Sequence, residues 1–88
     1  MVDQGLAACV NILPNMVSIY IWQGKRQRES EAVMLIKTRA VLTDRVMDEV
    51  RRFHPYANPA LLVLPVEGGS QDFLRWIAEQ TGRPTPAP

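Results

Sequence analysis

Chemistry-bearing side chains are scarce in this 88-residue chain: it has one cysteine, Cys9, and one histidine, His54. A single cysteine cannot close an internal disulfide, which suits a reducing cytoplasm. One thiol and one imidazole cannot complete a tetrahedral metal site. Any tight site must therefore add carboxylates, repeat His54 about a symmetry axis, or form between chains. Charge of one sign is also missing. Lys and Arg number 10 against nine Asp and Glu, a net charge of +1, so neither nucleic acid nor an anionic membrane is expected as a partner. No uncharged apolar run is long enough to span a bilayer, and no basic stretch followed by an apolar one marks a signal peptide at Met1. Ser18, Ser30 and Ser70 have no base at a recognisable spacing, and His54 has no evident orienting acid. Phosphate-binding and dinucleotide-binding glycine motifs are absent too. These absences predict a protein that is not an enzyme and uses no organic cofactor.

What is present reads as one domain, residues 1–82, followed by a loose proline-rich tail, 83–88. Hydrophobic residues make up 47%, enough for a globular chain. MVDQG is either a simple turn or the end of a helix that Gly5 closes. LAACVNILPNMVSIYIWQ reads as a long strand, interrupted or bulged near Pro14-Asn15. A turn at Gly24-Lys25, where Gly24 supplies a positive φ, leads to a second strand in RQRESEAVMLIKTRA. VLTDRVMDEVRRF is a helix with Leu42, Val46, Val50 and Phe53 on one stripe; Thr43 or Asp44 caps it and Pro55 ends it. PALLVLPVE is a short buried strand. Ser70 caps a last helix, QDFLRWIAEQT, which Gly82 and Pro84 end. The order is β-β-α-β-α, an α+β fold.

A sheet with helices on one face and water on the other alternates apolar and polar residues. This one does not. Ala32 to Ile36 and Leu61 to Leu64 are apolar on both faces, and Met16, Tyr20 and Trp22 share the face opposite Val17, Ile19 and Ile21. Two helices cover one side only, so the other side calls for a partner, most simply further copies of the chain.

Five blocks in order, LAACVNILP, SIYIWQGK, EAVMLIKTR, FHPYANPALLVLPV and DFLRWI, closely resemble the CutA family of divalent-cation-tolerance proteins, from about Leu6 to Ile77. The resemblance implies a ferredoxin-like βαββαβ sandwich, a tightly packed homotrimer similar in architecture to the PII signalling trimers, and binding of divalent metal, copper first and zinc second. Against that pattern this sequence lacks the first strand and most of the first helix, by a deletion or a misplaced start. Gln23 and Ala60 stand where the family usually has glutamate. The absent strand would lie between the strand ending near Thr38 and residues 60–66. Two repairs follow: residues 60–66 close up against the strand around Met34, or a strand from another chain fills the slot. Direct closure is favoured, because it needs no new partner.

Among single residues, His54 is the foremost metal candidate and Cys9 a weaker one. Each has a plainer reading, His54 as a turn residue bonded to a backbone carbonyl and Cys9 as a small buried hydrophobe. Tyr20, Trp22, Lys25, Glu31, Lys37, Tyr56 and Trp76 are candidates to line a pocket or a contact between subunits, with Glu31 and Lys37 able to fix register against another chain. Lys25-Arg26-Gln27-Arg28 reads as a solvated hairpin tip. The functional reading is a cytoplasmic homotrimer that binds divalent metal weakly and contributes to metal tolerance. The alternative is a PII-like scaffold trimer whose clefts bind a small anion through Lys25, Lys37 or Arg39.

Overall fold

The computed structural model describes residues 1–53 and 60–82. A long antiparallel hairpin dominates it, formed by β1 (Cys9–Trp22) and β2 (Lys25–Lys37). β-branched and aromatic residues favour this pleated ribbon. Pairing runs from Trp22 opposite Lys25 down to Cys9 opposite Lys37. The turn consists of Gln23 and Gly24, with φ of 51° and 77°. Positive φ at both central residues is the type I′ geometry, whose twist matches the flanking strands. The turn thus falls one residue earlier than the sequence predicts, and Lys25 already belongs to β2.

Glycine tolerates that φ and glutamine does so only at a cost. An added Cβ at Gly24 would meet nothing within 4 Å. Gly24→Ala is therefore expected to lower stability by ~1 kcal/mol through backbone strain alone. Urea unfolding checks this, and an unchanged midpoint would contradict the turn assignment.

The interruption in β1 is a bulge. Leu13 pairs with Val33 and Met16 with Glu31, so two residues on β1 face one on β2. Asn15 takes φ 61°, and Pro14, lacking an N–H, sits where no ladder bond is required. The bulge reverses the alternation of β1. Cys9, Asn11 and Leu13 therefore share a face with Met16, Ser18, Tyr20 and Trp22, although their numbers differ in parity.

The first residues form a helix-ending motif. Gly5 has φ 74°, its N–H donates to the Val2 carbonyl and the Leu6 N–H donates to that of Met1. These are the two bonds of a Schellman cap. Beyond β2, a 3₁₀ turn at Ala40–Leu42 leads into α1 (Thr43–Phe53), where the Thr43 hydroxyl donates to the Ala40 carbonyl at 2.9 Å. Ser70 caps α2 (Gln71–Thr81) by accepting from the Phe73 N–H, as its sequence signal predicts.

The buried apolar core is small among the described residues. Leu6, Ala7, Ala8, Leu42 and Val46 meet where the start of β1, the end of β2 and the start of α1 converge. Polar bonds tie the corner together: Thr38 donates its hydroxyl to the Leu6 carbonyl at 2.6 Å, and the Ala8 N–H donates to Lys37 at 2.8 Å. The Arg39 guanidinium reaches the last turn of α2, donating to Thr81 Oγ1 at 2.8 Å and to its carbonyl at 3.1 Å.

Two expectations fail. The stripe on α1 ends before Phe53, which is 74% exposed with Arg52 over its ring. Residues 60–66 form no strand: the sheet has two strands, β1 and β2, and the segment has no ladder partner among the described residues. Direct closure onto β2 does not occur. The physical reason is that the segment stays in water, with Leu62 88% exposed, so its backbone groups avoid the penalty of burial without partners.

Candidate functional site

The hairpin gathers most of the sequence-predicted site residues on one face. Cross-strand pairing places Cys9 opposite Lys37, Glu31 opposite Met16 and Lys25 opposite Trp22, with Tyr20 on the same side. They share a face but not a site. At ~3.3 Å per residue, Cys9 and Tyr20 stand roughly 35 Å apart along β1. Lys37 extends its ammonium over the Phe73 ring, 5.5 Å from the centroid, and Phe73 stacks on Trp76 with centroids 5.7 Å apart. That cluster lies at the base of the hairpin, whereas Trp22 and Lys25 lie at its tip. His54 and Tyr56 are outside the described residues.

The middle of this face carries a polar group in which Ser18 and Glu29 join the candidates Tyr20 and Glu31. Ser18 Oγ donates to Glu31 Oε2 at 3.2 Å, and the carboxylates of Glu29 and Glu31 act on the Tyr20 phenol. Desolvation of the phenol, then the charge and hydrogen bond of Glu29, then the charge of Glu31, push the Tyr20 pKa up from its ordinary value. The two-residue turn at positions 23 and 24 sets Ser18 opposite Glu29 and Tyr20 opposite Gln27, so Ser18 reaches Glu31 and Tyr20 approaches Glu29 diagonally across the hairpin.

These residues do not build a metal centre within one protomer. No group of three His, Cys, Asp or Glu side chains suited to a metal occurs among the described residues. Cys9 is half-buried and its thiol is directed at Asn11 Oδ1, 3.6 Å away. The described donor set does not fit a tight copper or zinc site, which takes several convergent nitrogen or sulfur ligands. Arg39, a candidate for anion binding, is committed to Thr81.

A cavity of about 440 Å³ lies elsewhere, between the lower half of β2 and residues 60–69, bounded by both helices. Met34, Ile36, Val46, Met47 and Leu74 give it apolar walls, and Lys37 is the charged residue that lines it. No set of acid, base and nucleophile converges there among the described lining residues.

No described helix is long and apolar enough to cross a membrane. The remaining feature is the exposed apolar surface of the hairpin. Ile21 is 67% and Trp22 62% exposed, and Ile12, Val17, Ile19, Met34 and Leu35 are exposed as well.

Comparison with known proteins agrees with this architecture. The human protein CutA is 44% identical over 91% of this chain, and Arabidopsis thaliana protein CutA, chloroplastic, is 42% identical over 91%. The chain spans 45% and 44% of their lengths, less than half of each. The structure of the divalent cation tolerance protein CutA1 from Thermus thermophilus superposes with a TM-score of 0.85 at 40% identity, covering 92% of this chain and 79% of that one. Such agreement gives the two strands and two helices the ferredoxin-like arrangement of the CutA1 structures. The profile of the CutA1 divalent ion tolerance proteins matches residues 1–80, and the chain belongs to that family.

Proposed function

We propose that this chain acts as a homotrimer in the cytoplasm, binds divalent metal weakly, copper in preference to zinc, and contributes to metal-ion tolerance. One observation carries the assembly: a hairpin whose two faces both expose large apolar side chains. Packing hairpins of neighbouring copies against each other would cover that surface. It would also repeat every ligand about the symmetry axis, the route by which a chain with one imidazole and one thiol assembles a metal site. The ion-tolerance role is supported by family membership. The Arabidopsis relative's name places that protein in the chloroplast, so the compartment is not uniform among relatives. The chain's single cysteine favours a reducing one.

Within this reading His54 is the leading protein ligand, because it is the only imidazole. His54→Ala is expected to weaken Cu²⁺ binding at least tenfold in calorimetric titration beside the parent protein. Equal affinity would move the site to Cys9 or to carboxylates.

A further inference from the structure

The outer half of the hairpin carries opposite charge on its two faces. Directly paired residues point to the same side of a ribbon, so Arg26 stands beside Ile21 and Arg28 beside Ile19 on one face. Glu29 stands beside Ser18 and Glu31 beside Met16 on the other. The acidic face also holds Lys25, out at the tip opposite Trp22. Both arginines and both glutamates are exposed. The ion pairs among the described residues, Asp48 with Arg51, Glu49 with Arg52 and Asp72 with Arg75, all lie within helices. None of the four hairpin charges is therefore neutralised by an ion pair among the described residues. Each charged row also runs beside an apolar one. Val17, Ile19 and Ile21 flank the arginines, and Met16, Tyr20 and Trp22 flank the glutamates.

We propose that these faces are the two halves of one self-contact: the face of Arg26 and Arg28 in one copy packs on the face of Glu29 and Glu31 in the next. The proposal deepens the homotrimer reading and rests on it. Spacing allows both pairs to form together, because the arginines and the glutamates are each two residues apart on β2, roughly 7 Å in both cases. Ser18 Oγ donates to Glu31 at 3.2 Å and holds that carboxylate on its face. Laying β2 over β2 also lays the apolar rows of β1 over each other. Like-face contacts are disfavoured. Basic on basic sets the arginines against their own copies, and acidic on acidic does the same to the glutamates. A contact between unlike patches is heterologous: each copy offers one face to the neighbour on either side, and the chain of contacts closes as a ring. A two-fold pair through one patch would leave the other patch open. Segregated charge thus favours three copies over a two-fold dimer, a choice that exposed apolar surface does not make by itself.

The test is charge reversal in the purified 88-residue chain, read by sedimentation equilibrium of the parent and three variants. The variants are Arg26→Glu/Arg28→Glu, Glu29→Arg/Glu31→Arg, and the combination of all four. Across the hairpin these positions face Ile21, Ile19, Ser18 and Met16, none of them charged, so reversal leaves the register of the protomer alone. Circular dichroism verifies that each variant is folded. Each two-residue reversal is expected to weaken association by about tenfold or more, because it sets like charges against each other in the contact. The four-residue variant restores the opposite signs and is expected to return association to within about threefold of the parent. Rescue is the outcome that a merely structural role for these residues does not produce. Two weakened reversals without rescue would overturn the proposal, showing that both faces matter but do not meet. A parent trimer that neither reversal weakens would overturn it too, and would leave the homotrimer reading standing on other contacts. A parent that sediments as a folded monomer would remove both.

Discussion

The Ile19→Glu/Ile21→Glu double variant is expected to sediment as a single protomer under conditions where the parent chain is an oligomer. Ile19 pairs with Arg28 and Ile21 with Arg26 across the hairpin. Glutamate opposite arginine is a favourable cross-strand pair, so the hairpin itself keeps its register. The interface does not. Each buried isoleucine contributes ~1.5–3 kcal/mol, and a charge placed in the contact adds a desolvation penalty. At about 1.4 kcal/mol per decade, association weakens by a factor of at least ~100. Sedimentation velocity reads the mass, and circular dichroism verifies that α1 and α2 persist. A variant with the parent's mass would show that this end of the hairpin lies outside the contact.

Arg39→Ala is expected to cost ~2–4 kcal/mol of stability, a large share of what a small domain has. Arg39 follows β2 and clamps the end of α2, with its two bonds on Thr81 at 2.8 and 3.1 Å. Thr81 is only 5% exposed, and its hydroxyl also donates to the Ile77 carbonyl at 2.8 Å. A cation at that helix end also complements its partial negative charge. Truncation leaves a buried acceptor without its charged donor, the costly half of the hydrogen-bond balance. Urea unfolding measures the loss. Thr81→Val, which keeps the volume and removes the hydroxyl, is expected to cost less than Arg39→Ala, because the backbone carbonyl still receives the guanidinium.

Local signals were legible where local physics decides the conformation. Ser70 reads as a cap because its hydroxyl can accept from an N–H three residues on, and it does. Pro14-Asn15 reads as a break because proline cannot donate to a ladder, and a bulge lies there. The sequence also placed Met16, Tyr20 and Trp22 opposite Val17, Ile19 and Ile21, as the register confirms. What could not be read locally depends on a partner. Residues 60–66 have the composition of a buried strand, but composition supplies no ladder, and without a neighbouring edge the segment remains in water. Phe53 fits the helical stripe by spacing, yet the core ends before it. Assigning the turn to Gly24-Lys25 instead of Gln23-Gly24 was a one-residue slip. In a hairpin such a slip changes every cross-strand partner: a turn at Gly24-Lys25 would set Ser18 directly opposite Glu31, whereas in the observed register Ser18 faces Glu29 and reaches Glu31 diagonally. Of the candidate site, the shared face of Tyr20 and Trp22 was legible. The membership of Cys9 in that face was not, because it depends on the bulge reversing the alternation.

The central claim is that the exposed hairpin is an interface between copies of this chain, and sedimentation equilibrium of the unmodified protein at micromolar concentration tests it most directly. The account predicts a single species of about three times the 9.9 kDa protomer mass. A stable, folded monomer at that concentration, with its hairpin apolar surface open to water, would contradict it.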